Sequence, residues 1–172
     1  ARYLAAWAEK LPPPPSGCAY LNITGTHDGI GIRPLEGLIP ESEIAGLVDH
    51  IVKLGGRVST RRTAGGDDVP YELNCTWFDA LAGSVGDTPA LHMSRFLCAQ
   101  AILLVLKGIP SVYFNTLIAA SNDRALAKRT GMSRSLNRGK WSAVDLDTML
   151  ADPASAACLS LSAHLRMLKI RA

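Results

Sequence analysis

Apolar residues recur along the chain at two spacings, one typical of helices and the other typical of strands. Helical spacing predicts helices at residues 1–11, 40–54, 88–107, 145–150 and 160–170. Short apolar runs typical of buried strands lie at 18–26 and at 109–118. Because helices and strands follow one another in turn, we predict an α/β fold.

The stretch between the first predicted strand and its following helix departs from this order. It contains a helix that ends at Gly55-Gly56, a short strand candidate at 57–62 and a polar turn at 63–68. A connection of this length is too long for an ordinary loop, and long loops often carry functional residues. We therefore predict a single domain over 1–172 with an inserted excursion at about 37–81.

The charge distribution argues against two classes of partner. Only 19% of the residues are charged, the net charge is +3, and the basic residues are scattered along the chain. A nucleic-acid-binding surface needs a basic stripe with interleaved aromatic residues, and the sequence has neither. The longest apolar run, 99–106, is interrupted by Gln100 and is too short to cross a bilayer. We expect neither nucleic acid nor membrane as a partner.

The cysteines and histidines do not indicate a metal site. The four cysteines are Cys18, Cys75, Cys98 and Cys158. None forms a C-x-x-C pair, no histidine lies at zinc-finger spacing, and nothing suggests an organic cofactor. Widely separated single cysteines fit a reducing cytoplasm. Cys98 lies in the apolar run F-L-C-A-Q-A-I-L-L and is expected to be buried.

An ionisable pair follows the first predicted strand. After Gly25-Thr26 the chain places His27 and Asp28 side by side, and Gly29 and Gly31 follow. In α/β proteins, chemistry is commonly carried by residues at the carboxyl ends of the strands. Asp-Gly is also a common turn dipeptide, so spacing alone allows either a functional pair or a polar turn.

The residues in this stretch resemble a known family. T-H-D-G-I-G, followed by R-P-L-E-G-L-I-P, resembles the seventh-strand motif of the α-amylase superfamily (glycoside hydrolase family 13). It is most similar to the branch that includes sucrose, sucrose-6-phosphate and glucosylglycerate phosphorylases. The resemblance covers the whole chain and implies a partial (β/α)8 TIM barrel, strands 7 and 8 with their helices. Whole barrels need about 250 residues, so we expect a carboxyl-terminal piece whose partner is the remainder of its own barrel.

The resemblance also implies roles on the side of the glucosyl donor. Asp28 would be the carboxylate that stabilises the transition state by holding the 2- and 3-hydroxyls of the sugar, and His27 would donate to a hydroxyl of the same sugar. Glucosyl transfer passes through an oxocarbenium-like state, in which hydrogen bonds to the 2-hydroxyl strengthen. Arg134, in S-R-S-L-N-R, would be a second donor-sugar ligand, and Arg138 is expected to be a structural partner.

The segment Y-E-L-N-C-T-W-F-D-A-L resembles the acceptor-site loop of these phosphorylases. The resemblance implies that Tyr71 reaches the phosphate or the acceptor sugar, with Glu72 beside it. Sucrose phosphorylases tend to carry glutamine at the position of Glu72. Because a carboxylate would repel phosphate, this difference argues against plain sucrose specificity and suggests that Glu72 binds acceptor hydroxyls. The alternative is that Tyr71 is a core aromatic residue. Asn122-Asp123 is expected to start a helix.

The predicted function is that of a fragment. The parent protein would transfer α-glucosyl from sucrose, sucrose 6-phosphate or glucosylglycerate to inorganic phosphate with retention, yielding glucose 1-phosphate. Retention requires a nucleophile and an acid/base, and the family motifs that carry them do not occur here, so we expect the chain to be inactive alone. Two alternatives remain open: a hydrolase or transglucosidase of the same superfamily, and a non-catalytic carbohydrate-binding module.

Overall fold

The computed structural model describes residues 2–83 and 87–171. The helices in these ranges are α1 (Arg2–Lys10), α2 (Glu41–Lys53), α3 (Trp77–Ala80), α4 (Pro89–Val105), α5 (Phe114–Leu117), α6 (Arg124–Thr130), α7 (Ala143–Ala151) and α8 (Ala156–Arg171). The strands are β1 (Leu21–Ile23), β2 (Ile30–Gly31), β3 (Arg57–Arg62), β4 (Asp68–Asn74) and β5 (Ile109–Ser111). Two 3₁₀ helices cover Arg33–Leu35 and Ser133–Asn137.

Strands β1 and β5 pair in parallel, which confirms the α/β prediction. Leu21 lies opposite Ile109, and Ile23 lies opposite Ser111. Both strands are shorter than predicted, and β5 is short because the apolar run that begins at Ile109 continues into the helix α5. Their predicted burial is also wrong, since Leu21 is 68% exposed and Ile109 is 58% exposed. In the described part of the chain, β5 is the strand that pairs with β1, and these side chains remain uncovered.

The segment between β1 and α4 forms a separate antiparallel sheet in the order β2-β4-β3. Strand β3 has the predicted bounds, whereas β4 was not predicted from the sequence. Helix α2 packs on this sheet, and the buried residues of their shared core are Ile32, Ile51, Leu73 and Cys75. Burial raises the pKa of the Cys75 thiol to about 12, with a further contribution from the charge of Asp79.

Helix α4 begins at the cap Thr88, whose side chain accepts a hydrogen bond from the Leu91 backbone, and it packs against α8. Its buried residues are Met93, Phe96, Gln100, Leu103 and Leu104. Leu91 and Val105 of this helix are exposed, and the predicted burial of Cys98 is wrong, since it is exposed too. These three residues are spaced seven apart, so they share one face of the helix, and that face is exposed.

The region after β5 is helical and ends in α8. Asp123 caps α6 by accepting a hydrogen bond from the Leu126 backbone at 2.7 Å, which confirms that a helix starts there. Ile118, Ala120 and Ala157 form a buried cluster on which residues of α7 pack. None of the helices within 2–83 and 87–171 combines the length and hydropathy that a membrane span requires.

Candidate functional site

Asp28 lies in a tight turn that connects β1 to β2. Its backbone N–H donates to the Thr26 hydroxyl at 3.1 Å, and the Thr26 N–H donates to the Gly29 carbonyl at 2.9 Å. Gly29 has a positive φ of 142°, and a side chain there would collide with the Leu73 carbonyl oxygen of β4. The turn therefore lies directly on β4, and only glycine at position 29 allows this close approach.

Two arginines and a histidine surround the Asp28 carboxylate. Arg138 Nη2 donates to its Oδ1 at 2.6 Å, Arg134 Nη1 lies 3.6 Å from the same oxygen, and His27 Nε2 lies 3.4 Å from it. The Asp28 side chain is 31% exposed. Partial burial opposes its ionisation, but the Arg138 hydrogen bond and the nearby His27 and Arg134 outweigh burial and lower the pKa of the Asp28 carboxyl.

Arg134 binds Glu72 with two parallel hydrogen bonds. Its Nε donates to Oε1 at 3.0 Å and its Nη2 donates to Oε2 at 3.1 Å. The hydrogen bonds to Glu72 raise the pKa of the Arg134 guanidinium. Bidentate pairing of this kind is strong and specific in geometry. The repulsion expected between a carboxylate at position 72 and a phosphate is therefore offset by a guanidinium in direct contact with it.

Tyr71 belongs to the same cluster because β4 contains an irregularity. Arg134 Nη2 also donates to the Tyr71 hydroxyl at 3.0 Å. Consecutive side chains on a regular strand point to opposite faces, but here Ser59 pairs with Glu72 and Thr60 pairs with Pro70, so Tyr71 is an extra residue. A β-bulge redirects side chains locally, which accounts for two consecutive residues contacting one arginine.

The structure thus brings together the five residues that the sequence predicted for the site: His27, Asp28, Tyr71, Glu72 and Arg134. Their roles toward a substrate stay predictions. Both carboxylates contact Arg134, which extends from the 3₁₀ helix Ser133–Asn137 toward the turn after β1 and toward β4.

Three further residues complete this cluster and were not among the predicted site residues. Arg138 makes the shorter of the two arginine contacts with Asp28, and its Nε also donates to the His27 carbonyl at 3.2 Å. Asn74 donates to the Asp28 carbonyl and to Glu72. Tyr113 has its ring centroid 6.5 Å from that of His27. Arg138 could have been found from its place four residues after Arg134, whereas Asn74 and Tyr113 carry no distinctive signal in the sequence.

Within 2–83 and 87–171, no group of three or more histidine, cysteine, aspartate or glutamate residues could hold a metal ion.

Comparison with known proteins identifies relatives of the chain. No protein-family model matches it. The glucosylglycerate phosphorylase of Allomeiothermus silvanus is 42% identical over 169 residues, which is 98% of this chain and 30% of that protein. That of Escherichia coli is 37% identical over 152 residues, 88% of this chain and 27% of the relative. The chain is homologous to a segment of the glucosylglycerate and sucrose phosphorylases. The resemblance that the T-H-D-G-I-G motif indicated is confirmed.

Two further relatives show how much of the chain, and how much of each phosphorylase, the similarity covers. The sucrose 6(F)-phosphate phosphorylase of Ilumatobacter coccineus is 35% identical over 160 residues, 88% of this chain and 29% of that protein. The crystal structure of the sucrose 6F-phosphate phosphorylase from Thermoanaerobacter thermosaccharolyticum has a TM-score of 0.78 at 24% identity, covering 98% of this chain and 32% of that one. At this identity the likeness shows the fold, which is that of part of a phosphorylase barrel. The chain spans about 30% of the length of these relatives.

Proposed function

We propose that the full-length protein containing this chain is a retaining α-glucosyl phosphorylase. It transfers the glucosyl group of glucosylglycerate, sucrose or sucrose 6-phosphate to inorganic phosphate and yields glucose 1-phosphate. The observation that carries this proposal is the Asp28 carboxylate, partly exposed and held by Arg138 and Arg134 at the end of β1. Homology to phosphorylases of these donors supports it.

Asp28 supplies negative charge where the reaction develops positive charge. Breaking the glycosidic bond produces an oxocarbenium-like sugar, and a fixed carboxylate that accepts hydrogen bonds from its 2- and 3-hydroxyls stabilises that state. Because its pKa is lowered, Asp28 is ionised at neutral pH. The exposed imidazole of His27 lies beside it and donates to a hydroxyl of the same sugar.

Tyr71 and Glu72 form the acceptor side, and Arg134, the second ligand of the donor sugar, contacts both of them as well as Asp28. The Tyr71 hydroxyl accepts a hydrogen bond from Arg134, so its own hydrogen can be donated to a phosphate oxygen or an acceptor hydroxyl. Glu72 is paired with Arg134, and it accepts hydrogen bonds from hydroxyls of the acceptor. A paired carboxylate at this position favours a hydroxyl-rich acceptor and still tolerates phosphate nearby.

We further propose that β1 and β5 are the seventh and eighth strands of a catalytic (β/α)8 barrel and that 37–81 is an insertion after the seventh. The nucleophile and the acid/base lie outside this chain, so the chain alone is inactive. All four cysteines are free, which supports a reducing, cytoplasmic compartment.

The proposal is tested on the full-length protein with each of the three donors and inorganic phosphate, with the products followed by ³¹P nuclear magnetic resonance. We expect glucose 1-phosphate, most rapidly from glucosylglycerate, because the relatives at 42%, 37% and 34% identity carry that name. Asp28→Asn should lower kcat by about 100- to 1,000-fold, and the exposed Asp147→Asn on α7 serves as the matched control.

Two results would contradict the proposal. Release of free glucose at the same rate with and without phosphate would indicate a hydrolase instead. Near-full turnover by Asp28→Asn would remove the role assigned to this carboxylate, even if glucose 1-phosphate is formed.

A further inference from the structure

Asn74 is a fully buried residue at the end of β4, and its side chain contacts both the turn that carries Asp28 and the side chain of Glu72. Its Nδ2 donates to the Asp28 carbonyl at 3.0 Å and to Glu72 Oε1 at 2.6 Å. Its Oδ1 accepts a hydrogen bond from the Ser59 hydroxyl at 2.7 Å. The amide is therefore hydrogen-bonded at both of its ends.

These contacts fix the orientation of the Asn74 amide. Exchanging its nitrogen and oxygen would place Oδ1 against the Glu72 carboxylate and the Asp28 carbonyl, and acceptors repel one another at such distances. The Ser59 hydroxyl on the neighbouring strand β3 donates to the opposite end of the amide. Both Nδ2 hydrogens are thus directed toward the site.

Through these bonds, Asn74 links the turn that carries Asp28 to the strand that carries Glu72. The Glu72 oxygen that accepts from Asn74 also accepts from Arg134 Nε. The turn is fixed from its other side by the Thr26 hydroxyl and by the contact of Gly29 with β4. Asn74 is therefore a buried link between the Asp28 turn and Glu72, in addition to Arg134, which contacts both carboxylates from the exposed side.

We propose that Asn74 is a positioning residue that sets the distance between Asp28 and Glu72, and with it the alignment of the donor sugar with the acceptor. It acts through these two residues and does not touch the substrate. The expected effect on turnover rests on the proposed function, whereas the effect on the distance between Asp28 and Glu72 does not. Misplacing a reacting group by about 1 Å lowers the rate by about 100-fold.

The test is a double-mutant cycle between positions 74 and 72 in the full-length protein. Asn74→Asp keeps the shape of the side chain but replaces the donor with an acceptor facing Glu72, and we expect kcat/KM for the donor to fall by about 100-fold. In the Glu72→Gln background, the amide at position 72 can donate to the new carboxylate, so the same substitution should cost clearly less than it does beside Glu72. The loss that remains comes from the Asp28 carbonyl, which still faces an acceptor.

Two comparisons separate positioning from general structural damage. Asn22→Asp is the matched control, because the Asn22 side-chain amide likewise donates two hydrogen bonds. Its acceptors are the backbone carbonyls of Leu106 and Lys107, which lie away from the site. It should lower Tm with kcat/KM unchanged. An equal loss from Asn74→Asp in both backgrounds at position 72 would overturn the proposal.

A crystal structure of the full-length Asn74→Asp variant gives a readout independent of turnover. We expect the Glu72 carboxylate and the Asp28 turn to move apart, and unchanged positions of both would overturn the inference. If the wild-type protein forms no glucose 1-phosphate from any donor, the proposed function fails, whereas this structural result still decides whether Asn74 positions the two residues.

Discussion

A single carboxylate oxygen, Oδ1 of Asp28, is approached by two guanidinium groups and an imidazole. This concentration of donors offsets the cost of partial burial and keeps the side chain ionised below its ordinary pKa. A carboxyl group with a lowered pKa retains its negative charge into the acidic range. In the role proposed for it, Asp28 should therefore stay functional at pH values where an isolated aspartate begins to protonate.

Replacing Arg138 should therefore move the acidic limb of the pH profile. Arg138→Met removes the hydrogen bond that lowers the pKa of Asp28, so this pKa rises. We expect the pH at which kcat/KM falls to half of its maximum to increase in the full-length protein. The exposed Arg129→Met on α6 is the control and should leave the limb unchanged. A limb that does not move, or that moves to lower pH, would contradict the interpretation.

His164 is a buried histidine outside the site, and burial lowers its pKa. Its Nδ1 donates to the Ser160 carbonyl at 2.8 Å, which partly opposes this effect. Because the folded state favours the neutral imidazole, the unfolded chain binds more protons at pH values below about 6.5. The contribution of His164 to stability is therefore complete above that pH and is lost as the pH falls.

His164→Gln should flatten this dependence. We expect the difference in Tm of the full-length protein between pH 8 and pH 5.5 to be smaller in the variant than in the wild type, because glutamine does not titrate. His50→Gln on α2 is the control. An unchanged difference in Tm would show that His164 does not contribute to acid sensitivity.

The sequence predicted part of the site at this scale because Asp28 and His27 follow a strand and a glycine turn, a pattern local in the chain. It did not identify Arg138 as the arginine nearer to Asp28. Arg134 and Arg138 are the same residue type in neighbouring positions, and only the path of the 3₁₀ helix determines which of them reaches Asp28 more closely. Asn74 was missed because two of its three partners, Asp28 and Ser59, lie 46 and 15 residues away in the sequence.

Among the elements, strands β3 and β4 illustrate what local patterns can and cannot determine. Strand β3 was predicted correctly because Gly55-Gly56 ends α2 before it and a polar turn follows. Strand β4 was missed because it contains Pro70 and an extra residue at Tyr71, both of which break regular alternation. The predicted strand at 109–118 was too long, since an apolar run alone does not distinguish a strand from the buried helix α5.

The contact between the Asp28 turn and β4 leads to a prediction for two neighbouring glycines. Gly29→Ala should lower the free energy of unfolding by about 1–3 kcal/mol, because position 29 has a positive φ and a side chain there meets the Leu73 carbonyl. It should also reduce kcat, since the turn must shift. Gly31→Ala is the matched control, because nothing lies within 4 Å of a side chain built there. Equal effects of the two substitutions on urea denaturation would contradict this account.

At the scale of the whole molecule, the parallel strands β1 and β5 carry apolar side chains that nothing in the described chain covers. Leu21 and Ile109 lie opposite each other on β1 and β5 and are both largely exposed. Adjacent exposed apolar side chains and an unpaired strand edge favour association with other protein surfaces. The other elements of a closed barrel would cover them in the full-length protein.

We therefore expect the 172-residue chain alone to be marginally stable. It should bind the dye ANS and show a broad thermal transition by circular dichroism, whereas the full-length protein should unfold cooperatively. Leu21→Lys with Ile109→Lys should reduce ANS binding by the isolated chain and destabilise the full-length protein. A sharp cooperative transition of the isolated chain, monomeric by analytical ultracentrifugation, would contradict this expectation.

The bonds from Ser59 to Asn74, and from Asn74 to Glu72 and the Asp28 turn, set a condition for chimeric enzymes. If residues 71 and 72 contact the acceptor as proposed, they are the ones to exchange between homologues when acceptor preference is to be changed. The position of Glu72 depends on Asn74, and that of Asn74 depends on Ser59, so residues 59 and 74 would have to be exchanged with them. A chimera that keeps these contacts would therefore exchange the whole β-hairpin from Arg57 to Asn74 together with Arg134, which pairs with Glu72.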